Sequence, residues 1–170
     1  MHDIATIDFA VYEDATEYVG IASVTMPDVN QKVAVINGAG IGGDIEVPIP
    51  GHVDAMAMEM AFRNYSSNVA KLREPRRHKL ELRPAKQYED PVRGELVTAE
   101  VKHVLVVVPK SVTGGTIAPA APEDIKISFS VRYLATFENG RKVTEIDPFN
   151  RIYMVNGVDY AAPVRKALGK

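Results

Sequence analysis

Hydrophobic and polar residues alternate over residues 125–138, and we expect the rest of the chain to be organised around this stretch. Every odd position is apolar, and every even position except Leu134 is polar or charged. Successive side chains of a β-strand point to opposite faces, whereas a helix would scatter these residues around its circumference. The pattern therefore predicts one long strand with an apolar face and a solvent-exposed face along its whole length.

A hairpin turn is predicted directly after this strand. Asn139 and Gly140 form a pair that accepts the positive φ angles of a two-residue turn. Residues 141–147 then form the return strand, and Pro148 ends it. The long hairpin is therefore the first structural unit that the sequence predicts.

A two-residue turn also fixes the register of the two strands. It places Glu138 opposite Arg141 and Arg132 opposite Asp147, on the polar face. Opposite charges on directly facing residues stabilise a sheet by roughly a few tenths of a kcal/mol for each pair. Charge, turn and alternation thus agree on the same hairpin.

Strands dominate the rest of the chain. The patterns predict strands over residues 7–13, 18–25, 53–63, 79–83, 96–108 and 151–155. One face of residues 53–63 is formed by long apolar side chains, those of Met56, Met58, Met60 and Phe62. Residues 64–74 form the only predicted helix, with Val69 and Leu72 at helical spacing. The predicted fold class is all-β with one short helix, a β-sandwich or barrel, in a single domain over residues 1–170.

Residues 31–50 contain the motif that most resembles a ligand site. A strand-like run is followed by the pattern G-x-G-x-x-G, in the segment Asn37, Gly38, Ala39, Gly40, Ile41, Gly42 and Gly43. Dinucleotide-binding proteins of the Rossmann class need a helix directly after these glycines. Here Pro48 and Pro50 interrupt the continuation, so no helix can form. The favoured interpretation is a flexible loop that contacts another chain, although a nicotinamide-dependent oxidoreductase would be detected by a thermal-shift screen.

Composition and charge narrow the possible functions. The chain has 170 residues, a formal net charge of −2 and no cysteine, which excludes disulfides and gives no general attraction to nucleic acid. Neither a signal peptide nor a membrane anchor is expected. The four histidines are scattered, and the basic residues between 73 and 79 are interpreted as a solvated or inter-subunit face. We therefore expect no catalytic, metal or cofactor site, and a self-assembling structural protein.

The C-terminal residues 143–159 carry a resemblance to a family. The pieces E-I-D-x-x-N (145–150) and V-N-G-V-D (155–159) resemble, in this order, the end of the major tail tube proteins of contractile-tailed phages and tail-like bacteriocins. Residues 20–27, the loop 38–40 and the basic ending 165–169 are similar to that family as well. Residues 109–122 depart from it, because they are rich in proline, alanine and glycine.

The resemblance implies a hexameric ring whose neighbouring sheets join into a ring-shaped barrel. Rings would stack into the inner tube of a contractile tail, with residues 31–50 reaching the adjacent ring and 109–122 as a loop. The implied partners are other copies of the chain, the sheath protein, the tape-measure protein, the baseplate, the tail terminator and, in a phage, DNA passing transiently through the lumen. The tube would be assembled in the bacterial cytoplasm and reside in the virion tail. Two alternatives stay open: the tube protein of a type VI secretion-like system, and a non-assembling β-sandwich binding module.

Overall fold

Antiparallel strands form most of the structure, a computed structural model that describes residues 2–170. The elements are β1 (His2–Glu13), β2 (Thr16–Tyr18), β3 (Ile21–Thr25), β4 (Gln31–Ile36), β5 (Ile45–Val53), β6 (Met56–Phe62), α1 (Ser67–Leu72), β7 (His78–Glu89), β8 (Leu96–Thr113), β9 (Ile125–Glu138), β10 (Arg141–Asp147), β11 (Ile152–Val155), β12 (Val158–Asp159) and α2 (Ala162–Ala167). The all-β class is confirmed, but the subunit by itself is not a closed barrel.

Strand β9 is the centre of the main sheet. Strand β8 pairs with it along one side, from Lys126 to Glu138. The other side is shared, because β6 pairs with Ile125–Val131 and β10 pairs with the stretch that begins at Leu134. The sheet runs in the order β12-β11-β10-β9-β8-β7-β1-β2, and β3 joins it through β6.

A β-bulge at Arg132 divides β9 into two halves. Val131 faces Val107 and Tyr133 faces Val106, so that Arg132 is the extra residue of this strand. Before the bulge the odd positions are buried as predicted, but after it Tyr133 is partly exposed and the even position Leu134 is buried together with Ala135. One extra residue shifts a strand to the other phase. The prediction of a single uninterrupted apolar face is therefore wrong for the second half of β9.

The hairpin turn lies where the sequence predicted it. Asn139 and Gly140 have φ values of 48° and 76°, and Arg141 faces Glu138. The predicted pair of Arg132 with Asp147 is wrong. A second register shift, between Lys142 and Thr144, moves β10 relative to β9.

The two residues of the mispredicted pair have other partners. The guanidinium of Arg132 lies 5.9 Å from the ring centroid of Phe149. One carboxylate oxygen of Asp147 accepts hydrogen bonds from the backbone N–H of Phe149 and of Asn150, both at 3.1 Å. Asp147 thus closes the turn that follows β10.

The core is formed by buried side chains of β6, α1, β7, β8 and β9, with single contributions from β1, β2 and β10. The methionine face of β6 is buried as predicted, and so are Val69 and Leu72 of α1. Helix α1 is shorter than predicted, starting after Ser66 and ending before Arg73. Helix α2 was not predicted, because its six residues (Ala162–Ala167) contain too few apolar positions to show helical periodicity.

Several strand boundaries also differ from the predictions. The predicted strand 18–25 is two strands, separated at Gly20, which has a φ of 83°. Residues 109–113, predicted as loop, extend β8, with Pro109 next to a register shift that accommodates its missing N–H. The loop that remains, 114–124, is tied to β6 by a 2.7 Å hydrogen bond from the N–H of Glu123 to the carbonyl of Arg63.

Candidate assembly surfaces

Strands β4 and β5 form a separate two-stranded sheet that is largely exposed. Directly facing residues share a face of such a sheet. Ala34 faces Val47 and Ile36 faces Ile45, so one whole face is apolar. The exposed fractions are 45% for Ile36, 53% for Ile45 and 37% for Val47. An isolated hairpin is marginally stable in water, and exposed apolar faces of this kind mark contact surfaces.

The glycine-rich segment 37–43 lies in the turn of this hairpin. Gly38 and Gly40 have φ values of 151° and 89°, and the N–H of Ile41 donates to the carbonyl of Gly38 at 3.1 Å. The next element is a strand that starts at Ile45. The glycines therefore precede a strand, which agrees with the prediction that no helix follows them. A pyrophosphate site of the Rossmann type would need a helix N-terminus at this position.

The base of the β4–β5 hairpin is anchored to the C-terminal part of the chain. The side-chain amide of Gln31 donates to the hydroxyl of Tyr153 at 3.1 Å. Gly51 has a φ of 76° and lies against Ala161, where an added Cβ would come within 2.9 Å of the alanine Cβ. These contacts hold the hairpin in a fixed direction relative to the main sheet.

A second exposed surface is the ribbon formed by residues 2–8 of β1, 84–89 of β7 and 96–100 of β8. Its apolar side chains are unusually exposed, at 50% for Ile4, 58% for Ile7 and 63% for Leu96. Within residues 2–170, residues 2–8 of β1 and residues 96–100 of β8 each pair with β7 and with no other strand. Open edges of this kind are templates for pairing with another chain.

A buried polar cluster lies at the opposite end of β1. The carboxylate of Glu13, 2% exposed, accepts hydrogen bonds from Nη1 of Arg76 at 2.8 Å and from the hydroxyl of Tyr18. Nδ1 of the fully buried His78 lies 2.9 Å from the same carboxylate, and its Nε2 lies 3.1 Å from the carbonyl of Glu74. Every buried side-chain N or O atom of residues 2–170 has a partner.

The electrostatics of the cluster favour an ionised Glu13. Burial alone would raise its pKa, but the hydrogen bonds from Tyr18 and Arg76 outweigh burial and lower the pKa of Glu13. Burial and the bond to Glu13 raise the pKa of Tyr18. The prediction of a solvated basic run is thus wrong for His78, which faces inward, and Arg76 is bound to Glu13. The sequence contained a sign of this inward position. Glu13 follows Val11 by two residues, so both side chains lie on the same, inward face of β1.

Asp159, the last residue of the C-terminal motifs, holds the end of the chain through hydrogen bonds. One carboxylate oxygen of Asp159 accepts from the N–H of Ala161 at 3.0 Å, and the other accepts from Nη2 of Arg165 at 2.6 Å. Burial would raise the pKa of Asp159, but the bond from Arg165 together with the hydrogen bonds from the backbone N–H groups of Ala161 and Tyr153 outweighs burial and lowers the pKa. Arg165 also donates to the carbonyl of Arg151 at 2.6 Å. The motif residues thus stabilise a local structure.

The charged face of the main sheet carries paired ions. Arg83 lies 2.8 Å from Glu81, and Lys142 lies 3.1 Å from Glu145. Residues 2–170 contain no group of three or more side chains placed to hold a metal ion. No helix within the same residues has the length and apolarity to cross a membrane.

Comparison with known proteins places this chain in a family. A sequence model described as phage tail tube protein FII matches residues 5–169. The chain belongs to this family. The tail tube protein of Escherichia phage P2 is 29% identical to it over 162 residues, which cover 94% of this chain and 93% of that protein. The resemblance drawn from residues 143–159 is confirmed, and so is the structural role in a tail tube, part of a virion or tail-like particle.

Two solved structures share the fold. One is a chain of the sheath–tube complex of PVC, an extracellular contractile injection system, in its extended state, with a TM-score of 0.55 and 11% identity over 79% of this chain and 91% of that chain. The other, from the sheath/tube terminator of PVC, also has a TM-score of 0.55 and 11% identity, over 81% and 98%. The assignment of 37–43 to a ring-stacking contact and of 1–170 to one domain stays a prediction.

Proposed function

We propose that this chain assembles into hexameric rings and that the rings stack head to tail into the inner tube of a contractile tail. The sheets of neighbouring subunits join into a ring-shaped barrel around the lumen. The observation that carries the proposal is the exposed apolar face of the β4–β5 hairpin on a subunit of the tail tube family. Such a face is stable in water only when another chain covers it.

The open strand edges support the joining of sheets within a ring. The ribbon of β1, β7 and β8 has unpaired edges on both sides within residues 2–170. Pairing with the neighbouring subunit satisfies these backbone groups, and ring closure leaves no free edge in the barrel. The same surfaces give a binding module that stays monomeric no advantage, because they would promote aggregation.

The tube serves as the conduit for genome delivery or envelope puncture. A lumen that conducts DNA must not bind it tightly. The net charge of −2 and the pairing of Arg83 and Lys142 with carboxylates agree with that requirement.

The partners follow from this role. The sheath surrounds the tube, the tape-measure protein occupies it during assembly in the bacterial cytoplasm, and the baseplate and terminator hold its two ends. The relatives from the PVC sheath–tube and terminator complexes support the sheath and the terminator as partners. Similarity to the phage P2 protein favours a phage, in which DNA passes transiently, over a type VI secretion-like system.

The test of the role is negative-stain electron microscopy of the purified protein across a concentration series. Rings with a central hole, or hollow tubes, are expected. A uniform small monomer at every concentration would favour the binding module instead.

Substitution of Gly40 by valine tests the hairpin turn. Gly40 has a φ of 89°, which a β-branched residue adopts only at a cost of about 1–3 kcal/mol. The Gly40→Val variant should form rings but few tubes, because the turn that reaches the adjacent ring is distorted. Gly169→Val is the matched control, since Gly169 also has a positive φ and open space around it but lies outside the hairpin. Tubes of normal length from Gly40→Val would contradict the assignment.

A further inference from the structure

A cleft of about 370 Å³ opens between β3 and the first half of β1. One wall is β3, and the other is the face of the sheet formed by β1, β7 and β8. Part of β3 and of β1 also has a strand edge without a partner within residues 2–170. Strand β3 pairs only with β6, and on the side away from β7 strand β1 pairs with β2 only through Val11–Glu13. An extended segment that enters such a cleft can add to a sheet edge through backbone hydrogen bonds.

The cleft is apolar, with one positive charge. Its apolar lining consists of Phe9, Ala22, Val24, Met26, Leu82 and Pro84. Lys86 is the only side chain of the lining with a fixed charge. His103, hydrogen-bonded to Thr136 at 2.9 Å, also lines the cleft, and burial and the charge of Lys86 lower its pKa, which favours the neutral form.

The β4–β5 hairpin has the complementary chemistry. One of its faces is formed by Ala34, Ile36, Ile45 and Val47. The charged residues between 37 and 47 are Asp44, which lies in the turn, and Glu46, which faces Val35 on the other face of the hairpin; both are acidic and exposed. The hairpin of a subunit does not fill the cleft of the same subunit, because its apolar residues are exposed and its base is anchored at Ala161.

We propose that the β4–β5 hairpin of one copy docks in the cleft between β1 and β3 of a second copy in the adjacent ring. This inference rests on the proposed tube function and names the receiving surface for the hairpin. The donating and receiving surfaces differ, so the contact is heterologous and repeats along an axis without closing. It therefore accounts for polymerisation of rings into a tube.

Two variants separate the donating surface from the receiving one. Ile36→Asp places a charge on the apolar face of the hairpin, and Ser23→Tyr fills the cleft from its β3 wall. Both positions are exposed in the subunit, so the thermal unfolding midpoints should match that of the unsubstituted protein. Ile117→Asp is the control, because Ile117 is 87% exposed and lies outside both surfaces.

Neither variant alone should build tubes, whereas Ile117→Asp should build them normally. When the two variants are mixed, the intact hairpins of the Ser23→Tyr protein meet the intact clefts of the Ile36→Asp protein. The two remaining surfaces are blocked, so growth stops at a pair. Sedimentation velocity should then show a species with twice the mass of either variant alone.

Long tubes from either single variant, or a mixture without the doubled species, would overturn the assignment of the cleft. The proposed function has its own outcome in the same experiment. If the unsubstituted protein builds neither rings nor tubes, the tube function fails, while a doubled mass in the mixture would still support the cleft.

Discussion

Replacement of Glu13 by glutamine is expected to destabilise the subunit strongly. The carboxylate is 2% exposed and receives donors on both oxygens, with Tyr18 on Oε2 and Arg76 and His78 on Oε1. A glutamine amide offers one acceptor oxygen and one NH₂ group. At least one of the donors would then face another donor, and the buried negative charge that faces the guanidinium of Arg76 would be lost.

The expected loss in the free energy of unfolding is about 1–3 kcal/mol, the cost of leaving a buried hydrogen-bonding group unsatisfied, because the guanidinium of Arg76 is 41% exposed and its charge is screened by solvent. Chemical denaturation of the Glu13→Gln subunit under conditions that keep it monomeric measures this value. Glu17→Gln is the matched control, since Glu17 is exposed on the neighbouring strand β2. A loss of less than about 1 kcal/mol, the range of an exposed ion pair, would refute the reasoning.

The same residue sets a dependence on pH. The folded state lowers the pKa of Glu13 from its ordinary value of 4.5. Its contribution to stability is therefore complete above the unfolded pKa and is lost as the pH falls through the folded pKa. Acid titration should destabilise the unsubstituted protein below about pH 4.5 more steeply than the Glu13→Gln variant. Parallel pH profiles for the two proteins would show that Glu13 is not the group responsible.

Two further substitutions test the core and the loop 114–124. Val131→Asp buries an unpaired charge at a side chain that is 5% exposed, so soluble protein should be lost from the cell lysate, whereas Val158→Asp at a 53% exposed position should remain soluble. A folded, soluble Val131→Asp protein would contradict the assignment of that face. Gly115→Ala places a Cβ 1.9 Å from the carbonyl oxygen of Glu123 at a φ of 73°, and should lower the thermal unfolding midpoint, while Gly114→Ala, with open space, should not. Equal midpoints for the two alanine variants would show that the loop adapts.

The features that the sequence predicted well are those in which a local pattern and burial agree. In β6 the alternation places Met58 and Met60 in the core, and Asn139 with Gly140 forms the turn of the long hairpin. Both features depend on neighbours along the chain. They need no knowledge of how distant strands pair.

The register shifts could not be predicted in the same way. Arg132 and the bulge in β10 carry no glycine or proline that would mark them. Arg132 lies where β9 changes its partner from β6 to β10, which only the pairing of distant strands decides. The inward position of Glu13 was visible in its phase with Val11. Its partners Arg76 and His78 were not, because they lie more than sixty residues away in the chain.

The candidate site poses a different difficulty. Val35 and Ile36 belong to a run of consecutive apolar residues, a pattern typical of a strand buried on both faces. In the subunit they are nevertheless 56% and 45% exposed. Within the subunit nothing covers them, and we propose that another copy of the chain does. Sequence patterns indicate that such residues need cover, whereas the surface that covers them is a property of the assembly.

The most direct test of the central claim is the symmetry of the assembled particle. End-on class averages of the purified protein in electron micrographs should show six-fold rings with an open centre, and side views should show such rings stacked into tubes. Particles without a central hole, or a monomer that persists at every concentration, would contradict a self-assembling tube subunit.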